Sequence, residues 1–186
     1  MSGPVTPDTL LGQVPSSDGL PPVHLWNPPF CGDIDMRIGR DGTWFYHGTP
    51  INRKPMVKLF STILRRESEG WFLVTPVEKV GIQVDDAPFV AVLLDVEGQG
   101  VSQRLHFTDN VGNRFVAGPE HPIRVATNPS TGEPAPYVRV RDNLDALIHR
   151  AVFYQLVDLA IPAHTEGTPV LGITSDNEFF VLGKAA

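Results

Sequence analysis

Cysteine is nearly absent from this sequence, in which Cys31 is the only one among 186 residues. A disulfide framework within the chain is therefore excluded, and Cys31 has no C-x-x-C partner with which to build a zinc site. We predict that Cys31 is a small buried hydrophobe. The alternative is a redox-sensitive thiol, which would require the sulfur to be exposed.

Long apolar runs are also missing. No stretch reaches the roughly 18 apolar residues that a membrane-spanning helix needs, and no basic segment followed by an apolar run marks a secretion signal at the N-terminus. Together with the single cysteine, these absences predict a cytoplasmic protein without a membrane span.

Basic residues are outnumbered: 15 lysines and arginines face 21 aspartates and glutamates, giving a formal net charge of −6. This balance disfavours a broad nucleic-acid surface, which is usually basic. Four aromatic residues would suit stacking on bases, but without a basic groove we predict that they pack in the core. They are Trp44, Tyr46, Trp71 and Phe72.

The first 29 residues contain seven prolines, which interrupt regular secondary structure. We predict an N-terminal arm over residues 1–29 that packs Leu25, Trp26 and Phe30 onto the rest of the chain. The alternative is a free linker.

Residues 33–76 show the order strand, turn, strand, helix, strand. Polar and apolar residues alternate over residues 34–38, as in a strand with one buried face, and Gly42 supplies the turn that follows. The apolar spacing from Met56 to Leu64 predicts a helix, with Arg65 and Arg66 in its last turn, where cations suit the helix dipole.

A second hairpin around Gly112 repeats features of the first at a constant distance. Gly42 and Gly112, Phe45 and Phe115, and Gly48 and Gly118 are each 70 residues apart, which indicates an internal duplication. A long helix is predicted from an N-cap at Asp142 or Asn143 through Leu159, followed by a hairpin around Ser175–Asn177. We therefore predict an α+β protein of two related, mainly antiparallel sheet-plus-helix halves, residues 30–84 and 85–186.

Four arginines in or beside strands are candidates for binding an anion, because a guanidinium recognises phosphate through two hydrogen bonds. They are Arg37, Arg53, Arg139 and Arg141. Arg139 and Arg141 alternate with valines, so both should lie on one strand face. The alternative is a set of ordinary ion pairs, for example with Asp35 or Asp109.

Histidines offer a weaker signal. His47, His106 and His121 would bind a metal with Asp109 if the hairpins brought them together, but none of them has the helical spacing typical of metal ligands. No nucleophile motif is present either. We predict no metal site and no catalytic residue; Glu78 and His121 are where an acid or base would be sought in an enzyme.

Several long motifs resemble a bacterial family catalogued as domain of unknown function 1285. They include Trp26-Asn27-Pro28, Asp41-Gly42-Thr43-Trp44, residues 73–80, residues 86–90 and residues 144–147. The resemblance, which spans roughly residues 20–160, implies a duplicated α+β fold whose C-terminal half is loosely like a pleckstrin-homology domain. It also implies a ligand site where the halves meet, a nucleotide-like ligand and a signalling role. It supplies no catalytic residues.

The leading functional prediction is non-catalytic binding of a small anionic or nucleotide-like ligand at the interface of the two halves, in a regulatory role. The predicted binding residues are Arg37, Arg53, Thr75, Glu78, Lys79, His121, Arg139 and Arg141. The sequence identifies no cofactor. The alternatives are a protein-interaction module that binds a peptide at a sheet edge or groove and, third, an enzyme.

Overall fold

Two six-stranded sheets dominate the fold, which a computed structural model describes for residues 3–16 and 19–185. The chain divides into two units, residues 1–86 and 87–186, each with one of these sheets. The arm predicted over residues 1–29 includes residues 1, 2, 17 and 18, which lie outside the described part. The predicted α+β fold of two related, sheet-containing halves is confirmed.

The described residues of the first unit form two α-helices, a 3-10 helix and six strands. In chain order these are α1 (Pro7–Gln13), the 3-10 helix Val23–Leu25, β1 (Phe30–Ile38), β2 (Trp44–Tyr46), β3 (Thr49–Pro50), α2 (Lys54–Thr62), β4 (Leu64–Glu67), β5 (Gly70–Val74) and β6 (Lys79–Val84). The strand order is β3-β2-β1-β6-β5-β4, and only the central pair among these described strands, β1 and β6, is parallel.

The alternation predicted for β1 places Met36 and Ile38 in the core. Trp44 on β2 and Phe60 on α2 are also buried, and their rings stack at a centroid distance of 6.0 Å. The sheet and α2 therefore share one apolar core. This confirms the prediction that Trp44 packs internally.

The helix α2 ends earlier than the apolar spacing predicted. Arg65 and Arg66 lie on β4, whose ladder with β5 runs from Leu64 opposite Leu73 to Glu67 opposite Gly70. Apolar residues at Ile63 and Leu64 fit both a helix stripe and the start of a strand. The ladder with β5 satisfies the backbone of residues 64–67, and this tertiary pairing outweighs the local helical period.

The N-terminal arm packs on the first unit through Leu10, which was not predicted, and in part through the predicted residues: Trp26 is half-buried, and the Phe30 ring lies 5.8 Å from that of Phe72. Leu10 of α1 is fully buried, whereas Leu25 and Phe30 are 67% and 54% exposed. Further along, Arg65 Nη1 donates to the carbonyl oxygens of Val23 and Trp26 at 2.9 and 2.7 Å. The arm is thus held by helix α1 and by hydrogen bonds from Arg65 to its backbone.

The second unit contains nine strands and one α-helix within its described residues. They are β7 (Phe89–Glu97), β8 (Arg104–Asp109), β9 (Arg114–Val116), β10 (Ile123–Thr127), β11 (Pro134–Arg141), β12 (Leu144–Ile148), α3 (Arg150–Leu159), β13 (Ile161–Thr165), β14 (Thr168–Ser175) and β15 (Glu178–Lys184). Its six-stranded sheet has the order β10-β11-β12-β7-β8-β9, and β13-β14-β15 form a separate sheet.

The same strand order occurs in both six-stranded sheets. Each has two antiparallel three-stranded segments joined by a central parallel pair, β1 with β6 and β7 with β12. Strands β1–β6 therefore correspond to β7–β12. The 70-residue spacing predicted a different correspondence, in which β1 and β2 match β8 and β9. That alignment is displaced by one strand from the observed one. The helices also differ, because α2 corresponds to the loop at residues 117–122 and α3 follows all six strands.

The long helix predicted from Asp142 or Asn143 is wrong at its start. Asp142 lies in a tight turn with φ of 48°, and Leu144–Ile148 form β12 between β11 and β7. The helix begins at Arg150, capped by His149, whose Nδ1 accepts a hydrogen bond from the Ala151 amide at 3.3 Å. The apolar residues of 144–148 are compatible with a helix or with a strand. Pairing with two neighbouring strands makes this segment a strand.

The final hairpin is confirmed as β14 and β15, whereas β13 was not predicted. Within residues 3–16 and 19–185, no helix is both long enough and apolar enough to cross a membrane.

Candidate functional site

Thr75 and Glu78 hold the N-terminal arm. The Thr75 hydroxyl accepts hydrogen bonds from the amides of Val77 and Glu78 at 3.2 and 3.0 Å, closing the turn between β5 and β6. The same hydroxyl donates to Gln13 Oε1 at 2.8 Å, and Gln13 Nε2 donates to Glu78 Oε2 at 3.0 Å. Both predicted ligand residues are buried, and Gln13 of α1 contacts each of them.

Lys79 and Arg37, also predicted to bind a ligand, have partners within the first unit. Lys79 Nζ lies 3.0 Å from Glu67 Oε1 and 4.5 Å from the Phe72 ring centroid. Burial raises the pKa of Glu67, but hydrogen bonds from Lys79 and Arg65 outweigh it, so the pKa lies below its usual value. Arg37 forms an ion pair with Asp85.

Arg139 of β11 matches the ion-pair alternative, with an unforeseen partner. Arg139 Nε lies 2.6 Å from Asp145 Oδ1, and Arg124 Nη2 lies 3.0 Å from Asp145 Oδ2. Arg141 lies over the Phe89 ring at 5.4 Å. Burial lowers the pKa of Arg141, although Asp142 and Asp109 act in the opposite direction.

Arg53 is different from the other predicted arginines. It is exposed at the N-cap of α2, where no side chain caps the helix. Among the described residues its guanidinium forms no ion pair.

A cavity of about 420 Å³ lies beside His121 in the second unit. Its lining residues are Val116, Gly118, Pro119, Glu120, His121 and Asp176. The loop that carries His121 is closed by reciprocal backbone hydrogen bonds between Gly118 and His121, both 3.1 Å. Of the eight predicted binding residues, His121 is the one that contributes to this cavity.

The His121 ring is fixed from two sides. Its Nδ1 lies 3.0 Å from the Arg139 carbonyl oxygen, which can only accept, so Nδ1 carries the proton and donates. The ring lies 5.1 Å from that of Phe115. In the neutral imidazole this leaves Nε2 as a hydrogen-bond acceptor.

Asp176 reaches the cavity from the turn between β14 and β15. It lies so close to Gly118 that a Cβ there would be 3.0 Å from Asp176 Oδ2. Arg104 Nε lies 3.7 Å from Asp176 Oδ1. With Glu120, the cavity thus has two carboxylates and one imidazole, a set suited to ligands that donate hydrogen bonds.

The other histidines of the metal hypothesis have separate partners. His47 Nδ1 lies 3.4 Å from Asp35 in the first unit, and His106 Nε2 lies 2.7 Å from Glu97 in the second. No group of three or more metal-ligating side chains occurs in the part of the chain that the structure describes.

Cys31 is exposed, so the prediction of a buried hydrophobe is wrong. It lies in the irregular first part of β1, where the ladder with β6 shifts register between Phe30 and Asp33. The alternation that would bury every second residue does not extend to this part of the strand.

Asp109 has a structural role. The residue is 2% exposed, and its carboxylate accepts hydrogen bonds from the amides of Val111 and Asn113 and from the Asn113 side chain, at 2.7–3.0 Å. Burial raises its pKa above 3.8, and these hydrogen bonds only partly oppose the shift.

The raised pKa of Asp109 predicts a pH dependence of stability. A group with a raised native pKa stabilises the fold below its unfolded pKa, and this contribution is lost as the pH rises through the native value. Asp109→Asn, which keeps an accepting oxygen, should abolish this component. The difference in unfolding free energy between wild type and variant, measured in urea from pH 4 upwards, should therefore fall with pH. A difference that stays constant across this pH range would contradict the prediction.

Family models match nearly the whole chain. The N-terminal domain model of the DUF1285 family, a domain of unknown function, matches residues 21–87, and its C-terminal domain model matches residues 88–182. The chain belongs to the DUF1285 family. The predicted resemblance is thereby confirmed.

Two solved structures of the DUF1285 family are similar to this chain. The family protein from Silicibacter pomeroyi DSS-3, a crystal structure at 2.50 Å resolution, is 60% identical, with a TM-score of 0.84 and 91% of each chain covered. The one from Shewanella baltica OS155, at 1.40 Å, is 28% identical, with a TM-score of 0.52, covering 66% of this chain and 90% of that chain. Comparison with curated proteins finds no match.

Sequence reasoning missed Glu120 and Asp176 as cavity residues. Glu120 lies next to His121, but Asp176 appeared only as part of a turn. Glu120 and Asp176 line the same cavity because Gly118 permits the close approach of Asp176. A glycine that makes room for a distant residue cannot be recognised without knowing which residue approaches it.

Proposed function

We propose that this DUF1285 protein is a cytoplasmic, non-catalytic regulatory protein that binds a small ligand in the cavity beside His121. The observation that carries the proposal is the cavity itself. Its volume of about 420 Å³ falls within the roughly 300–1,000 Å³ common for small-molecule sites, and it gathers three ionisable side chains. The single cysteine supports a reducing compartment.

The charges of the cavity refine the predicted ligand class. Glu120 and Asp176 would repel a phosphate placed against them, whereas their oxygens accept hydrogen bonds from the amino and ring N–H groups of a nucleobase. We therefore place the donor-bearing part of a nucleotide-like ligand in the cavity. Its anionic part then lies toward Arg104, the cation beside Asp176.

The position of His121 supports the proposed regulatory role. Its ring joins the loop at residues 118–122 to the backbone of β11 through the Arg139 carbonyl. A ligand that bonds Nε2 would hold this loop in one conformation. Binding to the native state alone also raises stability in proportion to ln(1 + [L]/Kd).

Thermal-shift measurements followed by calorimetry would test the proposal with a panel of nucleosides, nucleotides and inorganic phosphate. We expect a nucleoside or nucleotide to bind and phosphate alone to leave the melting temperature unchanged. Asp176→Asn should weaken binding about tenfold or more, because a hydrogen bond to a charged group contributes about 1.5–3 kcal/mol. His121→Asn should also weaken it, since the amide can donate to the Arg139 carbonyl but lacks Nε2.

Asp142→Asn is the matched control, because Asp142 and Asp176 both adopt positive φ, 48° and 50°, in tight turns of the second unit. It should leave the Kd unchanged. Equal binding by wild type and Asp176→Asn would refute the proposed site. A panel without any binder would favour the interaction-module alternative instead.

A further inference from the structure

A second cavity, of about 240 Å³, lies on the sheet of the first unit. Its lining comes from β1, β5, β6 and the turn before β5: Asp33, Ile34, Glu69, Gly70, Trp71, Phe72, Gly81, Ile82 and Gln83. Asp33 and Phe72 are both paired with Gly81 across their ladders. These three residues therefore form one row across three strands.

Gly81 gives the cavity its floor. A Cβ at this position would lie 2.0 Å from Asp33 Oδ1, so the carboxylate rests over bare glycine backbone. The β1–β6 ladder shifts register on both sides of Asp33. Such bulges re-aim side chains and are over-represented next to functional sites. The pairing of β1 with β6 thus determines the direction of the Asp33 carboxylate.

The chemistry of this cavity is that of a cation site. Asp33 and Glu69 supply exposed carboxylates, and Gln83 supplies an exposed amide. The rings of Trp71 and Phe72 already contact cations of the chain, with Arg66 at 5.0 Å and Lys79 at 4.5 Å from the ring centroids. No lysine or arginine lines it. Within the described part of the chain, the Asp33 carboxylate neither accepts a hydrogen bond nor forms an ion pair.

The cations that lie on the same two strands are already neutralised. Arg37 of β1 forms an ion pair with Asp85, and Lys79 of β6 with Glu67. Neither supplies Asp33 with a counter-ion. A carboxylate without a counter-ion attracts an organic cation through charge-assisted hydrogen bonds.

We propose that this cavity binds a guanidinium or primary-amine group. The volume is below the roughly 300 Å³ at which sites for drug-sized ligands begin, so the cavity accommodates one such group. The group belongs either to a small free amine or to an arginine or lysine side chain of a partner. The site is independent of the cavity beside His121.

The test is a titration of the ¹⁵N-labelled full chain, followed by amide chemical shifts, with free arginine, putrescine, an arginine-containing tripeptide and citrulline. Citrulline has nearly the shape of arginine without its charge. We expect shifts at Gly81 and Trp71 with the cations and none with citrulline. Binding by the tripeptide but not by free arginine would assign the group to a protein partner, and the reverse to a metabolite.

Asp33→Asn should weaken binding at least tenfold, whereas the control Asp35→Asn, an exposed aspartate of the same strand, should not. Gly81→Ala should also weaken it by displacing the Asp33 carboxylate. Three results would overturn the proposal: no shift at millimolar cation, equal binding of citrulline and arginine, or unchanged affinity in Asp33→Asn.

Discussion

Leu10→Ala should lower the free energy of unfolding of the first unit by about 2–5 kcal/mol, the usual cost of truncating a buried leucine. Leu10 belongs to a seven-residue helix in a proline-rich arm, yet it is fully buried. Its side chain and the Gln13 hydrogen bonds to Thr75 and Glu78 anchor the same helix. Urea unfolding followed by tryptophan fluorescence would measure the loss, because Trp44 and Trp71 are in this unit.

Leu20→Ala is the matched control, since it makes the same change in the same arm at a residue that is 55% exposed. It should alter stability by less than about 0.5 kcal/mol. If both variants unfold at the same urea concentration as the wild type, α1 does not pack on the first unit in solution.

Ser175→Ala should destabilise the second unit by about 2–4 kcal/mol. The Ser175 hydroxyl is fully buried; it donates to the Ala117 carbonyl at 2.7 Å and accepts from the Leu105 amide at 2.8 Å. Alanine leaves both backbone groups buried without a partner, and each such group costs about 1–3 kcal/mol. Differential scanning calorimetry would record a lower melting temperature for this unit.

Ser130→Ala, at an exposed loop position, should leave that melting temperature unchanged. Amide hydrogen exchange provides the more specific check, because the Leu105 amide should exchange faster in Ser175→Ala. A variant with wild-type stability and wild-type protection at Leu105 would show that the hydroxyl does not join the two sheets of the second unit.

Local patterns in the sequence were sufficient for the hairpins. Period-two alternation around Met36 and Ile38 and the turn glycine Gly42 gave β1 and β2, and the Asp176-Asn177 turn gave β14 and β15. These elements depend on residues that are neighbours in the chain. Their signals are therefore complete in a short window of sequence.

The errors arose where long-range pairing decides the structure. Leu144, Leu147 and Ile148 have helical spacing, but β11 and β7 flank them and make them a strand. Arg65 and Arg66 likewise lie on strand β4, which pairs with β5, and not in helix α2. The apolar periodicity of a segment carries no information about strands that are distant in sequence and pair with it. Both helices were therefore predicted too long.

The candidate sites show the same limit. His121 was predicted from its residue type and its place after a hairpin. Asp176 and Asp33 acquire their surroundings from Gly118 and Gly81, each of which makes room for a carboxylate from elsewhere in the chain. Most of the arginine and lysine residues predicted to bind a ligand, in contrast, form ion pairs with carboxylates. Composition alone does not show which cation pairs with which carboxylate.

The central parallel pair of each six-stranded sheet has a consequence for folding kinetics. Most antiparallel neighbours are joined by short turns and can form early, whereas β1 must meet β6, and β7 must meet β12, after all the intervening strands. Closing these long loops loses chain entropy before any contact compensates for it. We therefore expect pairing of Asp33 with Gly81, and of Leu147 with Val90, to be the late step in each unit. Until then, two open strand edges at the middle of each sheet are exposed to intermolecular pairing.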